Sequence, residues 1–77
     1  MVNWRERIAI DPEVLGGKPV VKGTRLSVEF VVGLLAEGWT EQQLLANYPA
    51  LAAADVRACL AYAAELLGDE TTYLISA

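Results

Sequence analysis

The sequence predicts a mainly α fold: a three-helix bundle of helix-turn-helix type carrying a short β-element at its N-terminus. Three observations carry this expectation. Turn-forming residues crowd the first third, where Pro12, Gly16, Gly17 and Gly23 fall within residues 11–26. Helix-start and helix-stop residues punctuate the remainder, namely Ser27, Gly38, Thr40 with Gln43, and Pro49. Between these marks apolar residues recur at helical spacing.

Residues 8–26 supply the β-element. Gly and Pro at such density impose a backbone path that ordinary side chains resist. Val20-Val21 and Leu26 read as short strand pieces joined by a tight turn at Lys22-Gly23. Ser27 stands as the N-cap of the first helix, which is expected to run to about Glu37 and stop at Gly38. Val28, Phe30, Val31, Val32, Leu34 and Leu35 cover about half of its circumference, against the ~100° stripe that a one-sided surface helix needs. Burial on two sides is therefore expected, one of them by a second subunit, with Phe30, Val31, Leu34 and Leu35 as dimer-interface candidates. Gly33 offers close approach to a neighbour at a small cost in helix propensity.

The second helix has the clearest start. Thr40 and Gln43 form a T-x-x-Q capping box, and Trp39 with Leu44 has the spacing of a hydrophobic staple. It is expected to cover about 41–47, because Pro49 disfavours helical geometry at Tyr48. The third helix, roughly 53–67, carries Val56, Cys59, Leu60, Ala63, Leu66 and Leu67 on one face. Residues 27–67 thus make the bundle, and 68–77 a C-terminal tail whose Thr71-Thr72-Tyr73-Leu74-Ile75 run is β-prone without a local partner. A short helix, a turn and a longer helix outline a homeodomain-like pair, whose second member would enter the major groove.

With 77 residues the chain reads as a single domain, 1–77. An apolar share of 55% is high for that length, and one small core is marginal without a staple. Cys59 is the only cysteine and histidine is absent, so neither a disulfide nor a Cys/His metal site is available. Oligomerisation is the stabiliser left. No apolar run approaches spanning length and no signal peptide opens the chain, so a cytoplasmic protein away from membranes is expected. Residues 17–24 read G-K-P-V-V-K-G-T, which transposes the lysine and glycine of a phosphate-binding loop. Without histidine, a metal constellation or a motif-forced carboxylate pair, the chain is expected to be no enzyme and to need no cofactor.

Charge divides the chain. Arg5, Arg7, Lys18, Lys22 and Arg25 against Glu6, Asp11 and Glu13 leave +2 up to Arg25, whereas Arg57 against seven carboxylates leaves −6 beyond it. An overall −4 argues against non-specific nucleic-acid binding. The acidic two-thirds would more naturally meet a basic protein.

Five motifs stand in order: I-x-I-D-P at 8–12, G-G-K-P-V-V-K-G-T-R-L-S-V at 16–28, L-L-A-E-G-W-T at 34–40, L-L-A-N-Y-P-A-L at 44–51 and L-A-Y-A at 60–63. Over 8–62 the chain resembles the domain-of-unknown-function family DUF433, whose members are regarded as VapB-type, antitoxin-like proteins with a helix-turn-helix. The resemblance implies a small homodimer that neutralises a PIN-like ribonuclease toxin and binds its own promoter. The family pattern places Ser or Thr before the third helix, where this chain has Ala52-Ala53-Ala54; losing such a cap costs about 1 kcal/mol. The outward face of that helix is expected to be Ala54, Arg57, Ala58, Ala61 and Glu65, on which only Arg57 has the chemistry to read a base edge.

Candidate functional residues follow from these patterns. Lys18, Lys22, Arg25 and Arg57 are the nucleic-acid candidates, although Arg25 serves equally as a structural ion pair and the hairpin lysines as edge protection. Glu65, Asp69, Glu70 and Tyr73 are the candidates for a basic partner, because three carboxylates sit at the negative end of a helix dipole. A solvated, fraying terminus is the plainer account of that acidity. Cys59 reads as a buried structural thiol, and Trp39 and Tyr48 as core residues rather than base-stacking platforms. Two functions of different class therefore stand in front, an antitoxin-like adaptor for a cationic ribonuclease and an autonomous DNA-binding regulator. A structural dimer of neither kind is the third.

Overall fold

The computed structural model describes residues 3–75, with side chains through Gly68. In chain order it holds a 3-10 turn at Trp4–Glu6, strand β1 at Ile8–Ile10, a second 3-10 turn at Leu15–Gly17, strand β2 at Pro19–Val21, and helices α1 (Val28–Ala36), α2 (Glu41–Asn47) and α3 (Ala53–Ile75). The fold is mainly helical with a small antiparallel sheet at the N-terminus, as the sequence predicts.

The sheet adds a pairing that the sequence reading lacked. Its two strands join Ile8 to Val21, Ala9 to Val20 and Ile10 to Pro19, while the pairing expected across the Lys22-Gly23 turn is reduced to an isolated antiparallel bridge between Val20 and Ser27. The turn expected at Lys22-Gly23 does form: the Thr24 amide donates to the Val21 carbonyl at 3.0 Å, and Gly23 takes φ 81°. At the bridge beyond the turn, the Leu26 carbonyl accepts from the Val21 amide at 2.9 Å. The chain must leave β2 at once because the next residue, Ser27, caps α1. The pairing with β1 also buries Ile8 beside Val21.

Between the strands, the Asp11 carboxylate accepts from the Glu13 amide at 2.9 Å, a local Asx turn. Leu15, Gly16 and Gly17 then follow at φ 48°, 66° and 90°. Two glycines after a leucine make a left-handed path tolerable. Thr24 closes the segment, donating its hydroxyl to the Val21 carbonyl and accepting from the Leu26 amide. The glycine-rich motif is thus spent on holding the backbone.

The helix boundaries follow their signals. The Ser27 hydroxyl accepts from the Phe30 amide at 3.0 Å. At the other end of α1 Gly38 sits at φ 102°, its amide donating to Leu35 and that of Trp39 to Leu34, both at 3.1 Å. That pair of bonds is a Schellman stop, which favours glycine at the left-handed position. On α2 both halves of the capping box are made, Gln43 N–H to the Thr40 hydroxyl and Thr40 N–H to the Gln43 side chain.

One core lies where the sheet and three helices meet. Val21, Val31, Leu44, Ala58 and Cys59 are each fully buried, with Ile8, Val28, Leu51 and Val56 around them. Val31 is therefore withdrawn from the dimer surface, since its own chain covers it completely. Leu34 and Leu35 are half-buried and pack against the same cluster, and Phe30 meets the Tyr48 ring edge-on at 5.7 Å. The apolar arc of α1 is wide because β2 and α3 both press on it.

The third helix extends further than its sequence signals suggest, through Gly68 to Ile75. Residues 71–75 are thus helical rather than strand-like, and Gly68 continues the helix instead of stopping it. With no proline in its path, the local hydrogen bonds of the helix propagate at modest cost even through glycine. Its 23 residues give α3 a length of about 34 Å. Among the described residues no helix is long and apolar enough to cross a membrane.

Candidate functional site

The surface with binding capacity is a groove between α1 and α3. Val32, Gly33 and Ala36 form one wall and Tyr62, Ala63 and Leu66 the other, enclosing about 470 Å³ with an overwhelmingly apolar lining. Lys18 and Glu29 stand at its rim, paired at 3.0 Å across solvent. Gly33 leaves its floor open, with no heavy atom within 4 Å of where a Cβ would stand. Leu66 lines the groove and remains 67% exposed, and Leu60 is 46% exposed nearby on the same helix. These leucines and the trough beside them make exposed apolar surface, a feature common at interaction sites.

A different face of α3 is closed by the N-terminal segment. The Trp4 ring stands edge-on to Tyr62 at 4.7 Å, and the Arg5 guanidinium lies 4.5 Å over the Trp4 ring. Glu65 accepts from the Trp4 indole N–H and from Arg5 at 3.3 Å. These donors hold the Glu65 carboxyl below its ordinary range, the Trp4 hydrogen bond first, with help from the Arg5 charge and hydrogen bond. Both partners of this pair are well exposed, which limits its worth.

At the start of α3 the missing cap hydroxyl is replaced. Asp55, buried to 8% exposure, accepts from the Ala52 amide at 2.8 Å with one carboxylate oxygen. Its other oxygen accepts from the Arg7 guanidinium at 3.0 Å. This is the reciprocal half of a capping box, carried by the third helical residue alone. Sequence reasoning missed both Asp55 and Arg7. An acidic residue three positions after Ala52 is the signal that points to Asp55; nothing local points to Arg7, which lies 48 positions away.

The nucleic-acid candidates differ in their pairing. Lys18 is tied to Glu29, whereas Lys22, Arg25 and Arg57 are exposed and make no ion pair among the described residues. The outward face expected of α3 is corrected at Ala58, which is fully buried and belongs to the core cluster. Of the partner-binding candidates, Glu65 is engaged by Trp4 and Arg5; the side chains of Asp69, Glu70 and Tyr73 lie outside the described residues. Cys59 is fully buried, and burial, with the Asp55 charge second, pushes its thiol from 9.0 up to about 11. Among the described residues no group of His, Cys, Asp and Glu is placed to hold a metal ion.

Comparison with known proteins places the fold. Residues 8–63 match the family described as "Protein of unknown function (DUF433)". An uncharacterized protein of Sinorhizobium fredii (strain NBRC 101917 / NGR234), y4eO, is 39% identical over 59 residues, 77% of this chain and 27% of that protein. The chain therefore spans little more than a quarter of that relative's length. The crystal structure of a DUF433 member from Anabaena variabilis ATCC 29413 aligns with a TM-score of 0.73 at 34% identity, covering 92% of this chain and 69% of the other. The match over 8–63 includes both strands, the glycine-rich connection, α1, α2 and the groove-lining part of α3 through Ala63. The chain belongs to the DUF433 family.

Proposed function

We propose that this chain is an antitoxin-like adaptor, a homodimer that binds and neutralises a PIN-like ribonuclease, with promoter DNA as a secondary ligand. The observation that carries the reading is the α1–α3 groove with Leu66 exposed along it. A helix or loop of another protein fits such a trough; a nucleic-acid backbone does not. Charge supports a cationic partner. Arg5, Arg7 and Lys18 pair with Glu65, Asp55 and Glu29, which offsets part of the charge division along the chain, and a net charge of −4 remains over the 77 residues.

The regulator reading has one observation of its own: Lys22, Arg25 and Arg57 are exposed and make no ion pair among the described residues. Against it, part of the α3 face expected to read bases is packed against the N-terminal segment.

The two readings separate in a tagged pull-down from source lysate, run with and without nuclease and read by mass spectrometry. A near-stoichiometric, nuclease-resistant PIN-like protein, whose ribonuclease activity falls on adding the chain, is the outcome expected. Recovery of nuclease-sensitive DNA alone, lost on Arg57→Ala and falling steeply with salt, would move the assignment to the regulator.

A further inference from the structure

The groove takes one side of α1, and an aromatic surface lies on another. Phe30 is 41% exposed, and its ring meets Tyr48 edge-on at 5.7 Å. Trp39 lies against the same tyrosine, with ring centroids 6.3 Å apart, and both are only half-buried. Rings from α1, the α1–α2 connection and the end of α2 thus form one cluster that reaches solvent. At 100° per residue, Phe30 stands about 110° around α1 from the middle of the groove-lining residues Glu29, Val32, Gly33 and Ala36.

Charge says what this surface lacks. Residues 26–56 contain no Lys or Arg. Glu29 is paired with Lys18, whereas Glu37 and Glu41, which flank Trp39 in the chain, make no ion pair among the described residues. Glu37 follows Phe30 by seven residues, two turns along the same side of the helix. It caps the C-terminal end of α1, where the helix dipole is already negative and the last turn holds no basic residue. A cation supplied from outside relieves that repulsion.

The molecule itself shows what a ring and a carboxylate hold together. Beside α3 the Arg5 guanidinium lies 4.5 Å over the Trp4 ring and donates to Glu65 at 3.3 Å. The α1–α2 face offers the same two groups without the cation. We propose that Phe30, Trp39 and Tyr48, bordered by Glu37 and Glu41, are a docking surface for an arginine-bearing segment of a partner protein. Arginine suits it better than lysine, because the planar guanidinium stacks on a ring and pairs a carboxylate through two parallel hydrogen bonds. The inference goes beyond the proposed function: it concerns a face that the groove does not use, and it holds whether or not the partner is a ribonuclease.

The test is a titration of the nitrogen-labelled chain with acetylated hexa-arginine amide at physiological ionic strength, followed through backbone and indole N–H resonances. Saturable shifts are expected at the Trp39 indole and at the amides around Phe30 and Tyr48, with the Trp4 indole unmoved. Hexa-lysine should bind at least about 3-fold more weakly. Glu37→Gln combined with Glu41→Gln, and separately Phe30→Leu, should each lower the arginine affinity by about 3-fold or more. Glu6→Gln with Glu13→Gln removes the same charge from exposed positions elsewhere and should change that affinity by less than about 2-fold, because salt screens distant charges. Circular dichroism verifies that each variant is folded, and Phe30→Leu keeps an apolar side chain at a site already 41% exposed. Absence of shifts at millimolar peptide, shifts centred on another face, full affinity in Phe30→Leu, or an equal loss from the Glu6 and Glu13 pair would each overturn the proposal.

Discussion

The N-terminal turns of α3 are held on every side: Val56, Ala58 and Cys59 lie in the core, while Asp55 joins the Ala52 amide to Arg7. From Leu60 onward the same helix carries equally apolar residues, yet Leu60, Leu66 and Leu67 are about half exposed or more. The lock on this second stretch is the solvent-facing Glu65 clasp with Trp4 and Arg5. Composition does not distinguish the two; the presence of α2 and the sheet over the first does. Apolar residues in the first region stabilise the fold, and those in the second leave apolar surface exposed. Each experiment below either breaks that division or sharpens it.

The largest expected effect is on the buried side. Leu44→Ala removes the largest fully buried side chain and is expected to destabilise the fold by about 3 kcal/mol, read from the urea midpoint with an unchanged denaturant slope. A smaller loss would mean that the core collapses around the cavity. Asp55→Ala comes next, at about 2 kcal/mol, because it orphans the Ala52 amide and the Arg7 partner together. Restoring a cap with Ala52→Ser in that background should recover part of the loss, since a side chain there reaches the same turn. Thr40→Ala should cost about 1 kcal/mol through the α2 capping box.

Cys59 gives a pH-dependent measure of the same burial. Its folded-state pKa of about 11 lies above its ordinary 9.0. The neutral thiol therefore contributes stability that is complete below pH 9 and declines as pH rises towards 11. Wild type should accordingly lose urea resistance over that range relative to Cys59→Ala, and a parallel decline would show that the thiol is less enclosed than its packing indicates.

The smallest effect is expected at Glu65. Its carboxyl is lowered in the folded state, so its contribution is present above the ordinary carboxylate range and lost as pH falls through the lowered value. Because the group faces solvent, Glu65→Gln should leave the neutral-pH urea midpoint unchanged. A resolved loss would promote the Trp4–Arg5 clasp to a structural element and shrink the region available to partners.

Several elements could be read directly from the chain because their causes are local. Ser27, Gly38 and the Thr40–Gln43 pair act within a turn of the helix ends they define, and those ends fall where expected. The piece at Leu26 pairs with β2 only as a single bridge, Val20 to Ser27, because α1 starts at once; the longer ladder runs to Ile8–Ile10 across the whole glycine-rich loop, a partner that no local signal names. Gly68 was misleading as a stop because glycine ends a helix only when the following chain turns away. The candidate site was the least legible. Phe30, Val31, Leu34 and Leu35 are apolar, as an interface would be, and equally so as a core would be.

The sequence by itself determined the helical class, the cap-defined boundaries of α1 and α2, the absence of a disulfide and the segregation of charge, since each follows from residue identity or from spacing within a few positions. Only the tertiary structure decided which leucines are core and which remain exposed, that Asp55 caps α3 while holding Arg7, and that an open groove runs between α1 and α3. These depend on which elements meet across dozens of residues. Hydrophobic burial is non-directional, so an apolar stripe records that something must cover it and not what does.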